Sequence, residues 1–314
     1  MIPAYNEEKV LPQLFTRLND LAKNNLTYDF EFLFINDGSK DRTMKIIKDE
    51  AAQNSQISYI NLSRNFGKEN AMLAGFDYAK GDALVIIDAD LQDPPELIPK
   101  MIKFWEQGYD DVYAKRESRD GESWLKKATS KWFYSVLDKI SHIEIQRDTG
   151  DFRLLDRRAV EALKTLREAN RYTKGMFSWV GFKKKEITYK RDPRAAGETK
   201  WNYFKLLNLA IEGITSFTTS PLRISLWTGL IISISAFAWA AFLIIRKLFF
   251  GADMSGYTSL MSAILLLGGV QLVSIGVIGE YIGRIFTETK NRPVYLAQEI
   301  KEFKREKTPK PTQK

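Results

Sequence analysis

The chain has 314 residues, of which 44% are hydrophobic and 27% are charged, and its net charge is +8. These values are typical of one large or two ordinary folded domains and exclude a disordered chain. Cysteine is absent and His142 is the only histidine, which excludes disulfides, thiolate metal sites and multi-histidine metal centres.

The first 200 residues alternate between short apolar runs and amphipathic stretches, which predicts an α/β domain. The predicted strands are 30–35, 57–62 and 83–87, and the predicted helices are 9–24, 41–53 and 68–79. A strand should also precede Pro3, but only Met1 and Ile2 stand there. Either that strand is very short, or the recorded start lies downstream of the true one, and we favour the second interpretation.

Polar side chains follow the predicted strands at the point where each strand ends. They are Asp37, Asn65, Asp88 and Asp90. Ligands of open parallel sheets bind at the carboxyl ends of the strands. We therefore expect these four side chains to line one site.

Two amphipathic stretches come next along the chain. Apolar residues recur at three- and four-residue steps from Trp124 to Ile140 and again from Trp201 to Phe217. The first stretch favours core packing or docking onto a membrane. The second is typical either of a helix lying in the membrane interface or of a helix facing the core, and we assign residues 201–222 to an interfacial region.

Two uncharged apolar blocks predict a transmembrane hairpin over residues 223–283. The spans are about 224–245 and 258–279, and each is long enough for a bilayer core of about 30 Å, which needs about 20 helical residues. A pair of buried core helices is the alternative. Lys and Arg are more frequent beside the outer ends than in the loop at 246–253. This favours a multi-pass protein of the inner membrane with its N-terminal domain and both termini in the cytoplasm.

The last segment, 284–314, holds nine Lys or Arg and four Glu. It is interpreted as a basic cytoplasmic tail that lies against anionic lipid. Because so much of the positive charge is in this tail, the sequence does not predict a basic nucleic-acid-binding face on a domain.

Asp88-Ala89-Asp90 is the motif with the clearest chemistry. In an extended strand, residues two apart point to the same side, so the two carboxylates repel each other unless a cation joins them. A hard divalent ion with substrate phosphates is the natural partner. Asp37, at the start of Asp37-Gly38-Ser39, fits an ordinary turn, and its carboxylate can in addition accept hydrogen bonds from a base or a ribose.

Eight motifs stand in order along nearly the whole chain. They are Pro3-Ala4-Tyr5-Asn6-Glu7, Asn36-Asp37-Gly38-Ser39-x-Asp41, Ser63-Arg64-Asn65-Phe66-Gly67-Lys68-Glu69, Asp88-Ala89-Asp90-Leu91-Gln92-Asp93-Pro94-Pro95-Glu96, Gly150-Asp151-Phe152-Arg153-Leu154, Arg194-x-x-Gly197-Glu198-Thr199-Lys200-Trp201, Gly279-Glu280-Tyr281-Ile282-Gly283-Arg284 and Arg292-Pro293. Together these motifs resemble family 2 glycosyltransferases. More narrowly they are similar to polyprenyl-phosphate glycosyltransferases, and among these to bactoprenol glucosyltransferases of the GtrB type.

The resemblance implies a GT-A catalytic domain over 1–200, followed by the interfacial helix and the hairpin. It also implies a role for each matching residue. Asp151, Asp90 and Asp88 would be catalytic; Asp90 and Gln92 would hold Mg²⁺ or Mn²⁺; Pro3, Tyr5, Glu7, Asp37, Asp88, Ala89 and Arg116 would bind the nucleotide sugar; and Arg153, Arg194 and Lys200 would contact phosphate or the acceptor.

The reaction implied is inverting transfer of a hexose, first of all glucose from UDP-glucose, to undecaprenyl or another polyprenyl phosphate. Asp151 would either take a proton or position the acceptor. GDP-mannose, UDP-N-acetylglucosamine, UDP-galactose and UDP-aminoarabinose remain open as donors, and a non-catalytic lipid-carrier scaffold is the alternative of another class. The partners expected are the nucleotide sugar, polyprenyl phosphate, the lipid bilayer and further copies of the chain, for which a tetramer is one arrangement; nucleic acid is not expected.

Overall fold

The computed structural model describes residues 1–117, 149–189, 218–250 and 256–303, and strands alternate with helices through most of its first 189 residues. The strands are β1 (Ile2–Ala4), β2 (Phe32–Asn36), β3 (Ile57–Leu62), β4 (Ala83–Ile86), β5 (Asp111–Arg116), β6 (Thr149–Asp156), β7 (Lys184–Tyr189) and β8 (Ala297–Lys301). The helices are α1 (Leu11–Lys23), α2 (Thr43–Gln53), α3 (Lys68–Tyr78), α4 (Ile98–Glu106, after a 3₁₀ turn at Pro95–Leu97), α5 (Arg157–Thr165), α6 (Thr173–Trp179), α7 (Ser220–Phe250) and α8 (Tyr257–Thr289).

The strands form two four-stranded sheets. The first has the order β1-β2-β3-β8, with β1, β2 and β3 parallel and β8 antiparallel to β3. The second has the order β4-β6-β5-β7, with β6 antiparallel to both of its neighbours. The prediction of an α/β domain is confirmed, and the strands predicted at 57–62 and 83–87 match β3 and β4 closely.

Met1 joins the edges of the two sheets. Its amino group donates to the Val85 carbonyl at 2.8 Å, and its carbonyl accepts from the Ile87 amide at 3.1 Å. Burial lowers the pKa of this amino group to about 5. The start of β1 therefore lies beside the end of β4, and this brings the motifs that follow the two strands together.

The sheets are covered by helices on both faces, because successive residues of a strand point to opposite sides. In β2, Phe32 and Phe34 join a core with α1, α2 and α4, whereas Leu33 and Ile35 join a second core with α3, α5 and α6. Phe34 and Ile35 are both fully buried. The polar segments that follow the strands are consequently left at the sheet edge.

Helices α7 and α8 form the hairpin that the sequence predicts. Their segments Ser220–Trp239 and Leu260–Thr289 have mean hydropathies of 1.4 and 2.2, and neither segment is buried inside the protein. Both helices extend beyond the predicted spans, since α7 begins at Ser220 and α8 ends at Thr289. The interfacial stretch 201–217 and the amphipathic stretch 124–140 lie outside the described residues.

The segment after α8 differs from the predicted tail, because it returns to the catalytic domain. β8 pairs with β3, and Glu299 accepts from the Tyr59 hydroxyl at 2.8 Å. Nearer the helix end, Glu288 accepts from the Ala169 amide at 2.9 Å. The hairpin is therefore tied to the catalytic domain on its C-terminal side, which the charge pattern did not indicate.

Candidate active site

A cavity of about 250 Å³ opens at the carboxyl ends of β1, β2 and β4. It is lined by Pro3, Ala4, Tyr5, Glu7, Asp37, Asn65, Gly67, Lys68, Ala71, Asp88, Ala89 and Asp90. The four polar residues that the strand ends predicted are all among them. The structure thus brings together every predicted nucleotide-sugar residue except Arg116.

The loops after β1 and β2 are held together by hydrogen bonds. The Asn6 amide donates to Ser39 Oγ at 2.9 Å, and the Lys40 amide donates back to Asn6 Oδ1 at 2.8 Å. Asn6 has a φ of 58°, a left-handed conformation that Asn adopts more readily than most residues. The first two motifs therefore form one wall of the cavity.

Asp37 anchors the third motif. Its Oδ1 accepts from the Phe66 amide at 2.7 Å and its Oδ2 from the Gly67 amide at 3.0 Å. Burial raises the pKa of Asp37, although these two hydrogen bonds oppose the shift. Each carboxylate oxygen has a second lone pair. Asp37 therefore holds the third motif in place and can still accept a hydrogen bond from a nucleoside.

Gly38 permits the close approach of the second and third motifs. Its φ is 65°, and a Cβ at this position would lie 2.3 Å from the carbonyl carbon of Arg64. Any other residue would push the two loops apart, so the short turn that the sequence predicts here also fixes the cavity wall.

The segment after β4 presents Asp88 and Asp90. The Gln92 amide donates to Asp90 Oδ1 at 3.1 Å, while Leu91 between them is buried and has a φ of 60°. Such a φ is uncommon for a branched residue and marks local strain of the kind found at functional sites. The left-handed conformation of Leu91 bends the backbone, so that Asp90 and Gln92 lie on either side of the bend.

The donor set at this bend fits a divalent cation. Gln92 Oε1 is buried without a hydrogen-bond partner, and Asp90 supplies a carboxylate beside it. No group of three or more Asp, Glu or His side chains gathers within the described ranges. One or two protein oxygens completed by substrate phosphates are the usual ligands of Mg²⁺, so Asp90 and Gln92 suit an ion that arrives with a diphosphate.

Lys68, at the start of α3, bridges two of the predicted catalytic carboxylates. Its Nζ lies 2.6 Å from Asp88 Oδ1 and 2.6 Å from Asp151 Oδ2. Burial opposes the charge of this lysine, but the two carboxylates together outweigh it and hold the pKa of Lys68 above its usual range. The cavity and Asp151 are thus connected through one ammonium group.

Asp151 lies in β6 and is nearly buried. Burial alone would raise its pKa, but the charges of Lys68, Lys174 and Arg153 lower it below the usual range. Its Oδ1 is buried and has no hydrogen-bond partner. Asp151 is therefore an ionised carboxylate whose charge is balanced first of all by Lys68.

Glu69 follows Lys68 in α3, and its pKa is shifted in the opposite direction to that of Asp151. Burial and the charge of Asp151 raise its pKa, while hydrogen bonds from the Thr173 amide, at 3.1 Å, and the Thr173 hydroxyl oppose the shift. Because Thr173 begins α6, this contact holds Lys174 close to Asp151.

Arg116, at the end of β5, does not line the cavity but stands beside the Gly150-Asp151 segment. A Cβ on Gly150 would lie 3.4 Å from one of its Nη atoms. The guanidinium hydrogen-bonds the Tyr189 hydroxyl, which donates to Asp93 at 2.6 Å. Its Nε is buried without a partner, and the phosphate contact that the sequence analysis expects for Arg116 stays a prediction.

Arg153 lies elsewhere than the sequence analysis expects. It is 1% exposed, its Nη1 donates to Asp111 at 2.9 Å, and its guanidinium stacks 3.7 Å from the centre of the Phe177 ring. Arg153 stands two residues from Asp151 on the same face of β6, but Asp111 and Phe177 enclose its guanidinium inside the protein. Its charge reaches Asp151, but its guanidinium is not presented to a substrate. Arg194 and Lys200 lie outside the described residues.

The sequence analysis assigned no role to Lys68, Glu69, Thr173 or Lys174. A signal existed for the first two, because they close the motif Ser63–Glu69 that carries the resemblance. Thr173 and Lys174 belong to no motif, and only the packing of α6 against α3 places them at the site.

Comparisons with known proteins agree over the whole chain. Residues 1–164 match the family model described as glycosyl transferase family 2, and residues 220–285 match the one described as GtrB C-terminal hairpin. An uncharacterized glycosyltransferase of Synechocystis is 51% identical over 96% of this chain and 94% of its own length.

Two further relatives have more specific names. The prophage bactoprenol glucosyl transferase homolog of Escherichia coli is 46% identical over 96% of this chain and 98% of its own length. The bactoprenol glucosyl transferase of Shigella phage SfII is 47% identical over 94% of this chain and 96% of its own length.

Proposed function

The chain belongs to glycosyltransferase family 2, and on this premise we propose that it transfers a hexose from a nucleotide sugar to polyprenyl phosphate at a membrane surface. Glucose from UDP-glucose is the first choice, because relatives that match over their full length are named bactoprenol glucosyl transferases. The observation that carries the proposal is that an acidic, strand-end cavity and a lipid-facing hairpin occur in one chain.

The reaction forms one bond and breaks one. An oxygen of the acceptor phosphate attacks the anomeric carbon of the sugar. The bond from that carbon to the diphosphate breaks, and its electron pair leaves with the nucleoside diphosphate. A single displacement of this kind inverts the anomeric centre.

The acceptor needs little help from a base. The second pKa of a phosphate monoester is about 6, so the nucleophile is largely a dianion near pH 7. Asp151 has a lowered pKa and is ionised, so it would position the acceptor phosphate through the cations around it or take a residual proton. Asp88 lies on the cavity side of Lys68, where it can orient the sugar or ribose.

The donor is assigned to the cavity lined by Pro3, Tyr5, Glu7 and Asp37. Tyr5 is 42% exposed, so its ring is accessible for stacking on a base. Asp90 and Gln92 would hold Mg²⁺ or Mn²⁺, which when bound neutralises charge on the leaving diphosphate. Arg116 would contact the same phosphates from β5, and Arg194 and Lys200 are kept as acceptor-binding candidates.

The hairpin gives the site access to its acceptor. The phosphate of a polyprenyl chain stays at the bilayer surface, and a water-soluble enzyme would have to extract it. Because α7 and α8 expose apolar side chains along their length, they can hold the catalytic domain at headgroup height.

The direct test offers labelled donors one at a time to the full chain in detergent with undecaprenyl phosphate and Mg²⁺. UDP-glucose, UDP-galactose, UDP-N-acetylglucosamine and GDP-mannose are compared. We expect label from UDP-glucose in the lipid fraction, and loss of this transfer in Asp90→Ala. Asp49→Ala, an exposed carboxylate on α2, is the matched control and should behave as the unchanged protein.

The outcomes are distinct. Transfer from another donor would correct the sugar and keep the reaction. Nucleotide binding without transfer from any of these donors would point to a rarer sugar such as aminoarabinose. If no nucleotide binds, the proposed function is wrong and a non-catalytic role becomes the better explanation.

The positive charges beside the outer ends of the hairpin favour a cytoplasmic catalytic domain. The orientation can be tested directly because the chain has no cysteine. Leu26 is 86% exposed on the catalytic domain, and Leu26→Cys should react with a membrane-impermeant maleimide only after the cells are permeabilised. Reaction in intact cells would reverse the proposed topology.

A further inference from the structure

The charge balance of the site requires a cation that the sequence motifs did not identify. Asp88 and Asp151 face the place where the reaction would occur, and both proposed substrates carry negative phosphates. Two like charges this close are unfavourable unless a cation joins them. The substrates therefore need a positive group that stands between these carboxylates and remains accessible.

Lys68 meets this requirement. An ammonium group has three N–H donors, and two of them are accounted for by the contacts at 2.6 Å with Asp88 and Asp151. The described residues provide no third acceptor for Nζ. Its side chain is 40% exposed, so a ligand can reach the remaining donor.

The position of Lys68 favours the acceptor over the donor. Lys68 and Asp88 line the donor cavity, whereas Asp151 does not. The ammonium is thus at the boundary between the cavity and Asp151, which is where the attacking phosphate must stand if the sugar is in the cavity.

The other described arginines near this boundary are already engaged in contacts within the protein. Arg153 is buried against Phe177 and paired with Asp111. Arg64 donates to the Asn65 carbonyl at 2.9 Å and stacks 4.0 Å from the centre of the Phe66 ring. Lys174 is different, because its charge acts on Asp151 and the structure records no ion pair for it among the described residues.

We infer that Lys68 binds the phosphate monoester of the acceptor and orients it against Asp151, with Lys174 as the second cation of this subsite. The inference rests on the proposed function. It assigns the acceptor phosphate to residues of α3 and α6, in place of the Arg153 contact that the sequence analysis expects.

The test measures steady-state kinetics of the full chain in detergent, with undecaprenyl phosphate and UDP-glucose varied in turn. The variants are Lys68→Met, Lys68→Arg and Lys174→Met. The matched control is Lys80→Met, since Lys80 is 44% exposed and pairs with Glu302 at 2.6 Å far from the site.

We expect Lys68→Met to raise the KM for undecaprenyl phosphate by about tenfold or more, the effect of losing one charged hydrogen bond. The affinity for UDP should change less than about twofold, because the donor keeps its own contacts. Lys68→Arg should recover part of the loss, and Lys174→Met should raise the same KM by a smaller factor. Lys80→Met should change neither constant.

Three results would overturn the inference. One is an unchanged acceptor KM in Lys68→Met that still binds UDP. Another is an equal loss of UDP affinity and acceptor affinity, which would place Lys68 on the donor. If Lys68→Met fails to fold, Lys174→Met decides, and an unchanged acceptor KM in Lys174→Met would reject the subsite.

The unchanged protein separates this inference from the proposed function. If it transfers sugar to undecaprenyl phosphate, the function stands and the variants judge Lys68 alone. If it binds UDP but transfers no sugar to any polyprenyl phosphate, even with UDP-aminoarabinose as the donor, the function fails and the acceptor subsite fails with it.

Discussion

The catalytic domain and the hairpin arrange their apolar side chains in opposite ways. Phe34 and Phe76 of the catalytic domain are fully buried, whereas Phe237 of α7 is 77% exposed and Leu272 of α8 is 71% exposed. In water an apolar side chain is stabilised by burial, and in a bilayer the lipid offers the same environment without burial. The difference teaches that the catalytic domain is suited to water and the hairpin to lipid. The candidate site lies entirely in the catalytic domain.

Polar groups follow the same division. In the catalytic domain they gather at the strand ends, where Lys68, Asp88 and Asp151 form a connected set. In the described part of the hairpin most side-chain hydrogen bonds stay within one helical turn, such as the Ser235 hydroxyl that donates to the Ile231 carbonyl at 2.8 Å. The hairpin therefore positions the reaction and the catalytic domain performs it.

The largest expected effect comes from Asp151→Asn. The amide keeps the shape of the side chain but removes the charge that would orient the acceptor, and we expect transfer to fall by about 10²–10⁴-fold. UDP binding should be retained, since Asp151 does not line the donor cavity. Transfer and UDP binding are measured on the same preparation, with Asp49→Asn as the control, and a rate within tenfold of the unchanged protein would contradict the assignment.

The next largest effect concerns the core. Phe34→Ala should lower the free energy of unfolding of the catalytic domain by about 3–5 kcal/mol, because it leaves a cavity between the sheet and α1. Phe237→Ala removes the same atoms from a lipid-facing position and should change this quantity far less. Chemical unfolding followed by loss of UDP binding measures both, and equal losses would show that the hairpin packs as a core.

A third experiment introduces a charge at one exposed position of the hairpin and at one exposed position of the catalytic domain. Phe237→Asp places a charge in the first span and should disfavour insertion by about 2.5–3.5 kcal/mol. Leu26→Asp is a similar change at an 86% exposed position of the catalytic domain and should alter stability by no more than about 0.5 kcal/mol. Membrane fractionation compares them, and normal insertion of Phe237→Asp would argue that α7 is not in lipid.

The smallest expected effect is a pH dependence in the catalytic half. Desolvation would raise the pKa of Asp41, but hydrogen bonds from Thr43 and from the Glu8 amide lower it below the usual value. A depressed pKa gives stability that is full above the unfolded value of about 3.9 and is lost as the pH falls through the folded value.

Asp41→Ala should therefore destabilise the protein near pH 6 and converge with the unchanged protein towards pH 3. Thermal unfolding across this range checks the expectation, and a difference independent of pH would show that the charge of Asp41 is not involved.

Local patterns were sufficient for much of this protein. The alternation of apolar residues placed β3 at 57–62, and the uncharged blocks predicted both helices of the hairpin. The strand-end positions of Asp37, Asn65, Asp88 and Asp90 predicted the cavity that they line. These features depend on periodicity, length and short-range order, which are all present in a single sequence.

The tertiary structure decided which charges meet. Lys68 bridges Asp88 and Asp151, although the three residues lie on different elements of the chain. Arg153 was expected at the site, but its guanidinium pairs with Asp111 of β5 and stacks on Phe177 of α6. β8 pairs with β3, which precedes it by more than 230 residues, and its sequence Ala297–Lys301 is too polar to indicate a strand. A sequence determines local preference, whereas ion pairs and edge-strand pairing depend on which distant surfaces the packed cores bring together.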